Sequence, residues 1–549
     1  WLTSVSHDLF TNNFQTVDME NYNSKTGKHL IQILMFSMYN DQRIIYREYI
    51  QNAYDAINRA VKEGILSQMK DGIVDVRIDS DAQRIIIRDN GIGIKSNEVA
   101  EKLLNIADSR KDGVTSAGQY GIGRLAGAGY CRWLKFKTSA LGEDKASIIS
   151  FDVDFANQII NDVEDESSAT EVIDIITKLE SVPEKESEHY FEVTLEGVNR
   201  EYRDLLNPDA ITEYLREVAP IDYSMNFKNV LFSPSLKQAA NSIYTNLYAE
   251  ICNVSVCVNG STELRKRYNL RIDGTGDEID CLDFFQVNSD NGDVLAWGWY
   301  AVTPFTKQIP VSDTNRGIRL RKHNIQLGTS DLLNKYFGEA RGNNYFYGEV
   351  FAVHPNLRPN SDRSGLAPTP ETEILFDKLR LIFKNLGKLY QVANNAKNAV
   401  KKVALAVDKL TSGIETDEQH IQAEIKSAEA ELSKVENSTN AQSQVAKRVI
   451  ELHKTKAQEK KNEVSVKKAN APKEQPKQVV TPPTEQPVNT AVLTPQQTDI
   501  YEPLKEKFTE KEILLIRRAL TYMTLACPSA SKPLLEQLKL HAINQLKLS

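Results

Sequence analysis

Glu48, Asn52, Asp55 and Arg59 stand at positions i, i+4, i+7 and i+11 of the stretch REYIQNAYDAINRA. On a helix that spacing lines up a carboxylate, an amide, a second carboxylate and a guanidinium in one narrow stripe. A carboxylate and an amide one turn apart can face the same ligand; the plain alternative is a solvated helix face. Downstream, Asp89 ends the apolar run RIIIRD and opens DNGIGI, with Gly91 and Gly93 behind it. An ionised Asp only accepts hydrogen bonds, so at a strand end it can take one from an exocyclic amine. The glycines remove Cβ atoms and permit tight backbone geometry. Further on, GQYGIGRLAGAGY carries Gly118, Gly121, Gly123, Gly127 and Gly129. Backbone N–H groups of such a loop, where it leads into a helix, form a nest for phosphate oxygens. It is not a Walker A loop, since no GK[ST] follows, and no βαβ unit surrounds it as a dinucleotide fingerprint would require.

These residues need elements to hold them. Tyr46, Ile50, Ala53, Tyr54, Ile57 and Val61 fall on the opposite face of the first helix, which should therefore meet a core. IVDVRID alternates like a half-buried strand, DSDAQ reads as a turn, and RIIIRD as the hairpin partner. ASIISFDVD and HYFEVTLEG are strand-like, separated by the acidic loop NDVEDESSATE. Residues 1–200 are thus expected to form one mixed domain. Residues 201–372 are expected to form a second, α/β domain with strands at EICNVSVCVNG, LAWGWYAV, GIRLRKHNIQL and YFYGEVFAV. Residues 373–467, with no proline and much Ala, Lys, Glu and Leu, predict long helices, coiled-coil-like around IQAEIKSAEAELSKVE. Residues 468–500 form a Pro/Gln/Thr-rich linker, and 501–549 a small helical module.

The bulk numbers exclude several classes. A chain of 549 residues predicts about three or four domains. A hydrophobic fraction of 41%, a charged fraction of 26% and a net charge of −7 describe an ordinary globular protein with no global drive toward nucleic acid or anionic membrane. No apolar run reaches the length of a membrane span, and WLTSVSHDLF does not read as a signal peptide. Five scattered cysteines with no CxxC spacing fit reduced thiols in a cytoplasmic protein.

The order of the motifs, a helix with ExxxN, a strand ending in DxGxG and then a GxxGxG loop, resembles the GHKL ATPases with the Bergerat nucleotide fold. YNDQRIIYREYIQNAYDAI, RDNGIGI, LNIADS and GQYGIG are most similar to the N-terminal domain of the 90-kilodalton heat-shock chaperone family. The resemblance implies an α+β architecture: a Bergerat-fold ATPase sandwich, an α/β middle domain, then a helical C-terminal region. It also implies ATP and Mg²⁺ as ligands. Glu48 would be the general base toward the water attacking the γ-phosphate, and Asn52 would offer its carbonyl oxygen to Mg²⁺. Asp89 would accept from the adenine amino group, Gly91 and Gly93 would let the base approach, and Gly118, Gln119, Tyr120, Gly121, Ile122 and Gly123 would cap the phosphates. Asp55 and Arg59 are read as structural. RPNSDRSGL resembles the loop from which the chaperone middle domain presents an arginine to ATP, which falls on Arg363, with Asn360 beside it. The runner-up cations are Arg319, Arg321 and Lys322 of RGIRLRK, a strand that reads equally as an exposed edge of alternating charge.

Three departures stand out. The segment between Ser109 and Gly118 is shorter than the chaperones' nucleotide lid. Asp108 replaces a lysine near the phosphates, with Arg110 and Lys111 close by. Phe191 occupies the place of a Gly-Thr pair near adenine. The expected function is a chaperone-like, ATP-hydrolysing conformational machine, a homodimer with an unidentified protein client. The alternative is a clamp on nucleic acid resembling MORC or MutL proteins, suggested by the basic tracts AKRVIELHKTKAQEKK and VSVKKANAPKEQPK. A histidine-kinase relative is the third reading; no phosphoacceptor His segment is apparent.

Overall fold

A computed structural model of the chain describes residues 26–36, 41–105, 123–239, 242–249, 251, 253–412, 418–455 and 516. The alternation in Ile73–Asp79 and Arg84–Asp89 produces the predicted antiparallel hairpin, in register from Val74 opposite Asp89 to Asp79 opposite Arg84. Val74, Val76, Ile78, Ile85 and Ile87 all point to one buried face. Around this hairpin a seven-stranded sheet runs in the order Thr177–Pro183, Lys145–Asp152, Cys131–Ser139, Tyr190–Val198, Arg84–Asp89, Ile73–Asp79, Ser255–Val258. The Ile44–Lys62 helix lies on it with Ile45, Tyr46, Tyr49, Ile50, Ala53, Tyr54 and Ile57 in the shared core. The fold class is α+β, as the motifs implied.

The last strand corrects the reading of EICNVSVCVNG as part of the second sheet. Ser255–Val258 instead closes the first sheet, parallel to Ile73–Asp79. Asn259 locks it there: its side chain accepts from the Ile78 N–H at 2.7 Å and donates to the Ile78 carbonyl at 3.0 Å. The Pro208–Val218 helix also belongs to this core through Ile211, Tyr214, Leu215 and Val218. Asn207 caps it by accepting from Asp209 and Ala210, and Pro208 opens it where no amide hydrogen is needed.

The second sheet has the order Cys281–Asn288, Val294–Val302, Tyr347–Ala352, Gly317–Lys322, Ile325–Gln326. One face meets the 43-residue helix Pro370–Ser412 through Leu375, Leu379, Phe383, Leu386 and Leu389. Phe337 stacks on Phe383 with centroids 4.5 Å apart. The helix Glu418–Glu436 packs back along it, and helical residues 444–455 dock Ala446, Val449 and Ile450 into the same core. In the described part of the basic tract AKRVIELHKTKAQEKK, Arg448 is bidentate to Asp280 at 2.7 and 2.8 Å, and His453 Nε2 lies 2.7 Å from the Pro304 carbonyl. VSVKKANAPKEQPK, the linker and nearly all of the terminal module lie outside the described residues.

RGIRLRK is not an exposed edge. Gly317–Lys322 is buried at every position, parallel to Tyr347–Ala352 on one side and antiparallel to Ile325–Gln326 on the other. Its charges survive burial because each finds partners. Arg319 meets Glu217 at 3.1 Å, Arg321 meets Glu349 at 2.5 Å, and Lys322 donates to the His354 carbonyl at 2.8 Å. Glu349, fully buried, also accepts from Lys266, Tyr223 and Tyr268. Burial alone would raise its pKa, but Arg321 and Lys266 outweigh that and hold it at about 2. Glu349→Ala strands two buried cations, so a loss of about 3–5 kcal/mol of stability is expected, read as a fall in the denaturant midpoint.

Candidate functional site

The polar stripe of the Ile44–Lys62 helix is not a solvated face. Glu48 is only 2% and Asp55 3% exposed, Asn52 is half-buried, and Arg59 alone of the four is exposed. Glu48 is covered by a residue from the second sheet's side of the molecule: Arg363 Nε donates to Glu48 Oε1 at 2.5 Å, and Arg363 is itself 7% exposed. Beside them, Arg47 Nη2 donates to the Asp362 carbonyl at 3.3 Å. The resemblance-based choice of Arg363 therefore has a geometric counterpart, whereas Arg319, Arg321 and Lys322 are committed elsewhere.

The loop that delivers Arg363 is closed by its own hydrogen bonds. A bridge between Pro359 and Leu366 joins its ends. Asn360 Oδ1 accepts from the Gly365 N–H at 3.1 Å, its Nδ2 donates to Ser364 Oγ at 2.9 Å, and Ser364 N–H donates to Asp362 Oδ1 at 3.1 Å. Within this frame Arg363 adopts φ 56°, a left-handed conformation that costs a non-glycine residue about 1–2 kcal/mol. The Gly328 N–H holds its carbonyl at 2.9 Å.

Asp89 ends its strand 5% exposed, its Oδ1 accepting from the Gly91 N–H at 2.8 Å. Burial pushes its pKa up to about 7, against the opposing effect of the Gly91 and Phe191 amides. Gly91 is needed because a Cβ there would lie 2.6 Å from the Ala56 Cβ on the helix. Gly93, at φ 69°, is required by the protein's own backbone, beside any room its missing side chain leaves for a base. A Cβ there would lie 1.9 Å from the Ser139 carbonyl oxygen, so the protein's own backbone fills that space. Phe191 pairs directly with Asp89 and shares its face of the sheet. The sequence reading passed over His189, whose Nδ1 lies 2.8 Å from the Gly91 carbonyl, and Thr138, which accepts from the Ile94 N–H at 2.9 Å. Thr138 pins the DNGIGI turn to the Cys131–Ser139 strand and His189 pins it to the segment just before Tyr190–Val198, and neither stands in a recognisable spacing.

Gly118, Gln119, Tyr120, Gly121 and Ile122 lie outside the described residues, as do Asp108, Arg110 and Lys111. Gly123, the last glycine of the motif, is described and abuts the helix: a Cβ there would sit 2.5 Å from Glu48 Oε2. One carboxylate thus has the end of the glycine loop against one oxygen and Arg363 against the other. Asp55 faces the hairpin of the second sheet, where His323 lies 6.1 Å, ring to ring, from Tyr54. Burial first, then Lys322, lowers His323 to about 4 while Asp55 opposes the shift. Asp55 and Tyr54 therefore stand at the contact between the helix and the second sheet.

Residues 43–182 match the family described as histidine kinase-, DNA gyrase B-, and HSP90-like ATPase. The chain is 29% identical over 189 residues to the chaperone protein HtpG of Rickettsia typhi, covering 30% of this chain and 29% of that protein. It is 29% identical over 197 residues to HtpG of Alkalilimnicola ehrlichii, covering 32% and 29%. It is 30% identical over 154 residues to HtpG of Rickettsia massiliae, covering 24% of each. The similarity thus spans under a third of the length of these relatives. The matched region contains Glu48, Asn52, Asp89 and the glycine loop; Arg363 lies beyond the matched family region.

Proposed function

From a chain that carries a histidine kinase-, DNA gyrase B- and HSP90-like ATPase domain, we infer an ATP-hydrolysing conformational machine of chaperone-like type. The observation that carries this reading is the Glu48–Arg363 pair, which joins residues 315 apart in sequence across the two sheets. In this reading Asp89 and the Gly91 turn receive adenine, and the glycine loop, where described at Gly123, brings the phosphates to Glu48. Glu48 takes the proton of the attacking water, and Arg363 balances the charge that develops on the γ-phosphate. Binding of ATP in place of the resting ion pair draws Arg363 from the carboxylate to the phosphate and frees Glu48 as a base. Hydrolysis is thereby tied to how the second sheet's loop sits on the helix.

A magnesium ion fits this site only as a partner of the nucleotide. Among the described residues no group of three or more His, Cys, Asp or Glu side chains could hold a metal. Asn52, half-buried one turn from Glu48, would supply one carbonyl oxygen beside the phosphate oxygens and waters. The ion would supply charge neutralisation between the β- and γ-phosphates. A dimeric assembly, a protein client and a cytoplasmic location belong to the same proposal, by the motifs' resemblance to the 90-kilodalton heat-shock chaperone family. No helix among the described residues is long and apolar enough to cross a membrane.

The adenine end gives the direct test of ligand class. Asp89→Asn is expected to abolish ATP binding in calorimetry, and GTP is expected to compete poorly with ATP on the unsubstituted protein. Because burial holds the Asp89 pKa at about 7, the carboxyl is protonated below that pH and ionised above it. The ionised form is the acceptor the amino group needs, so nucleotide affinity should weaken as pH falls, by up to about tenfold per unit below the pKa. Equal affinities for ATP and GTP, together with a flat pH profile, would remove Asp89 from the adenine site.

A further inference from the structure

Two polar residues beside the site are absorbed by none of the roles above. Tyr49, the helix residue after Glu48, is 2% exposed. Its hydroxyl donates to the Arg124 carbonyl at 3.1 Å and accepts from the Gly127 N–H at 2.8 Å. The glycine at 127 is dictated by this contact, since a Cβ there would lie 2.5 Å from the Tyr49 hydroxyl. The side chain of Arg124 runs the other way. Its Nη2 donates to the Asn105 carbonyl at 2.5 Å, and its Nη1 donates to the Lys102 carbonyl, both at the end of the Val99–Leu104 helix. Burial lowers its pKa to about 10. A guanidinium at a helix C-terminus satisfies carbonyls that the helix leaves open and matches the negative end of its dipole.

We propose that Tyr49 and Arg124 form a clamp that holds the turn Gly123–Leu125 against Glu48 and so fixes where Gly123 stands beside that carboxylate for hydrolysis. The short turn Gly123–Leu125 is gripped on two sides, by a hydroxyl from the catalytic helix and by the carbonyls that precede residue 106. Gly123 is the residue next to Arg124, and it is Gly123 that approaches the Glu48 carboxylate. Releasing the turn lets the loop end shift relative to Glu48, while Asp89 and the Gly91 turn, anchored on another strand, keep their geometry. Tyr49 and Arg124 act through the turn they hold; they are positioning residues, and the inference rests on the hydrolytic reading of the site.

The test compares the full chain with Tyr49→Phe, which keeps the ring and removes both hydrogen bonds, and with Arg124→Ala and Arg124→Lys. Phosphate release from ATP, ADP affinity by calorimetry and thermal midpoint are measured for each. The clamp predicts a kcat lowered on the order of ten- to a hundredfold in Tyr49→Phe, the cost of small misplacements at a reacting centre. ADP affinity should stay unchanged in that variant, and Arg124→Lys should recover part of the loss seen in Arg124→Ala. Wild-type kcat in Tyr49→Phe, or a kcat loss that only parallels weaker ADP binding and a lower midpoint, would overturn the clamp. If the unsubstituted chain releases no phosphate from ATP, the hydrolytic reading itself fails and the clamp falls with it; the two failures are distinguished by that control.

Discussion

Glu48→Ala is expected to lower ATP hydrolysis by on the order of a hundred- to ten-thousandfold, the usual contribution of a positioned general base. It should not weaken nucleotide binding. In the resting protein Glu48 neutralises Arg363 inside the structure, so the variant leaves a buried guanidinium without that carboxylate. The γ-phosphate of ATP can replace the missing charge, whereas ADP has no γ-phosphate to offer. ATP affinity should accordingly hold or rise while ADP affinity stays level. A nucleotide-free variant should also melt earlier than the unsubstituted chain and regain stability on adding ATP, because ligand binding to the folded state alone stabilises it. Phosphate release, paired calorimetry with ATP and ADP, and a thermal scan with and without ATP check each part. Hydrolysis at the unsubstituted rate would take the base away from Glu48. The same variant, held in its ATP-bound form, is the natural bait for capturing a protein partner.

Arg363→Ala carries the second large effect. Loss of a cation that stabilises charge on a transferring phosphoryl group costs on the order of a thousandfold in rate. The resting contact adds a signature that an ordinary surface arginine would lack. Removing Arg363 leaves Glu48 buried without this partner, so the nucleotide-free variant should also show a lower thermal midpoint than the unsubstituted chain. ADP binding should be unaffected. Arg319→Ala and Arg321→Ala should instead destabilise the fold, since these side chains pair with Glu217 of the Pro208–Val218 helix and with Glu349 of the second sheet. Normal hydrolysis in Arg363→Ala would falsify the assignment. A fragment ending near residue 200 does not serve as the control. It lacks both the Pro208–Val218 helix and the Ser255–Val258 strand, which complete the first core, so a slow fragment could be slow because it is misfolded.

How much of this was legible in advance differs from residue to residue. The hairpin of Ile73–Asp79 and Arg84–Asp89 and the helix carrying Glu48 follow from local periodicity, because the alternation and the 3.6-residue spacing are properties of contiguous residues. The charged strand RGIRLRK misled for the same reason. Its alternation is that of a half-exposed edge, but Glu217, Glu349 and the His354 carbonyl, all distant in sequence, make burial of every position tolerable. Gly93 has a further cause that no local spacing records, the approach of the Ser139 carbonyl.

By itself the sequence determined which groups could do chemistry and in what order they occur: the ExxxN helix, the DxGxG strand end, the glycine loop and an arginine in a turn-rich segment. Those are patterns of near neighbours, and the chain's local geometry preserves them. Only the tertiary structure decided which of these groups meet. That Glu48 is buried under Arg363, that Gly123 abuts the same carboxylate, that Tyr49 and Arg124 grip the turn between them, and that Ser255–Val258 closes the first sheet are all contacts between residues far apart in the chain. Such contacts are set by which buried charges and open backbone groups find complements once the cores have formed, and no spacing along one segment records them.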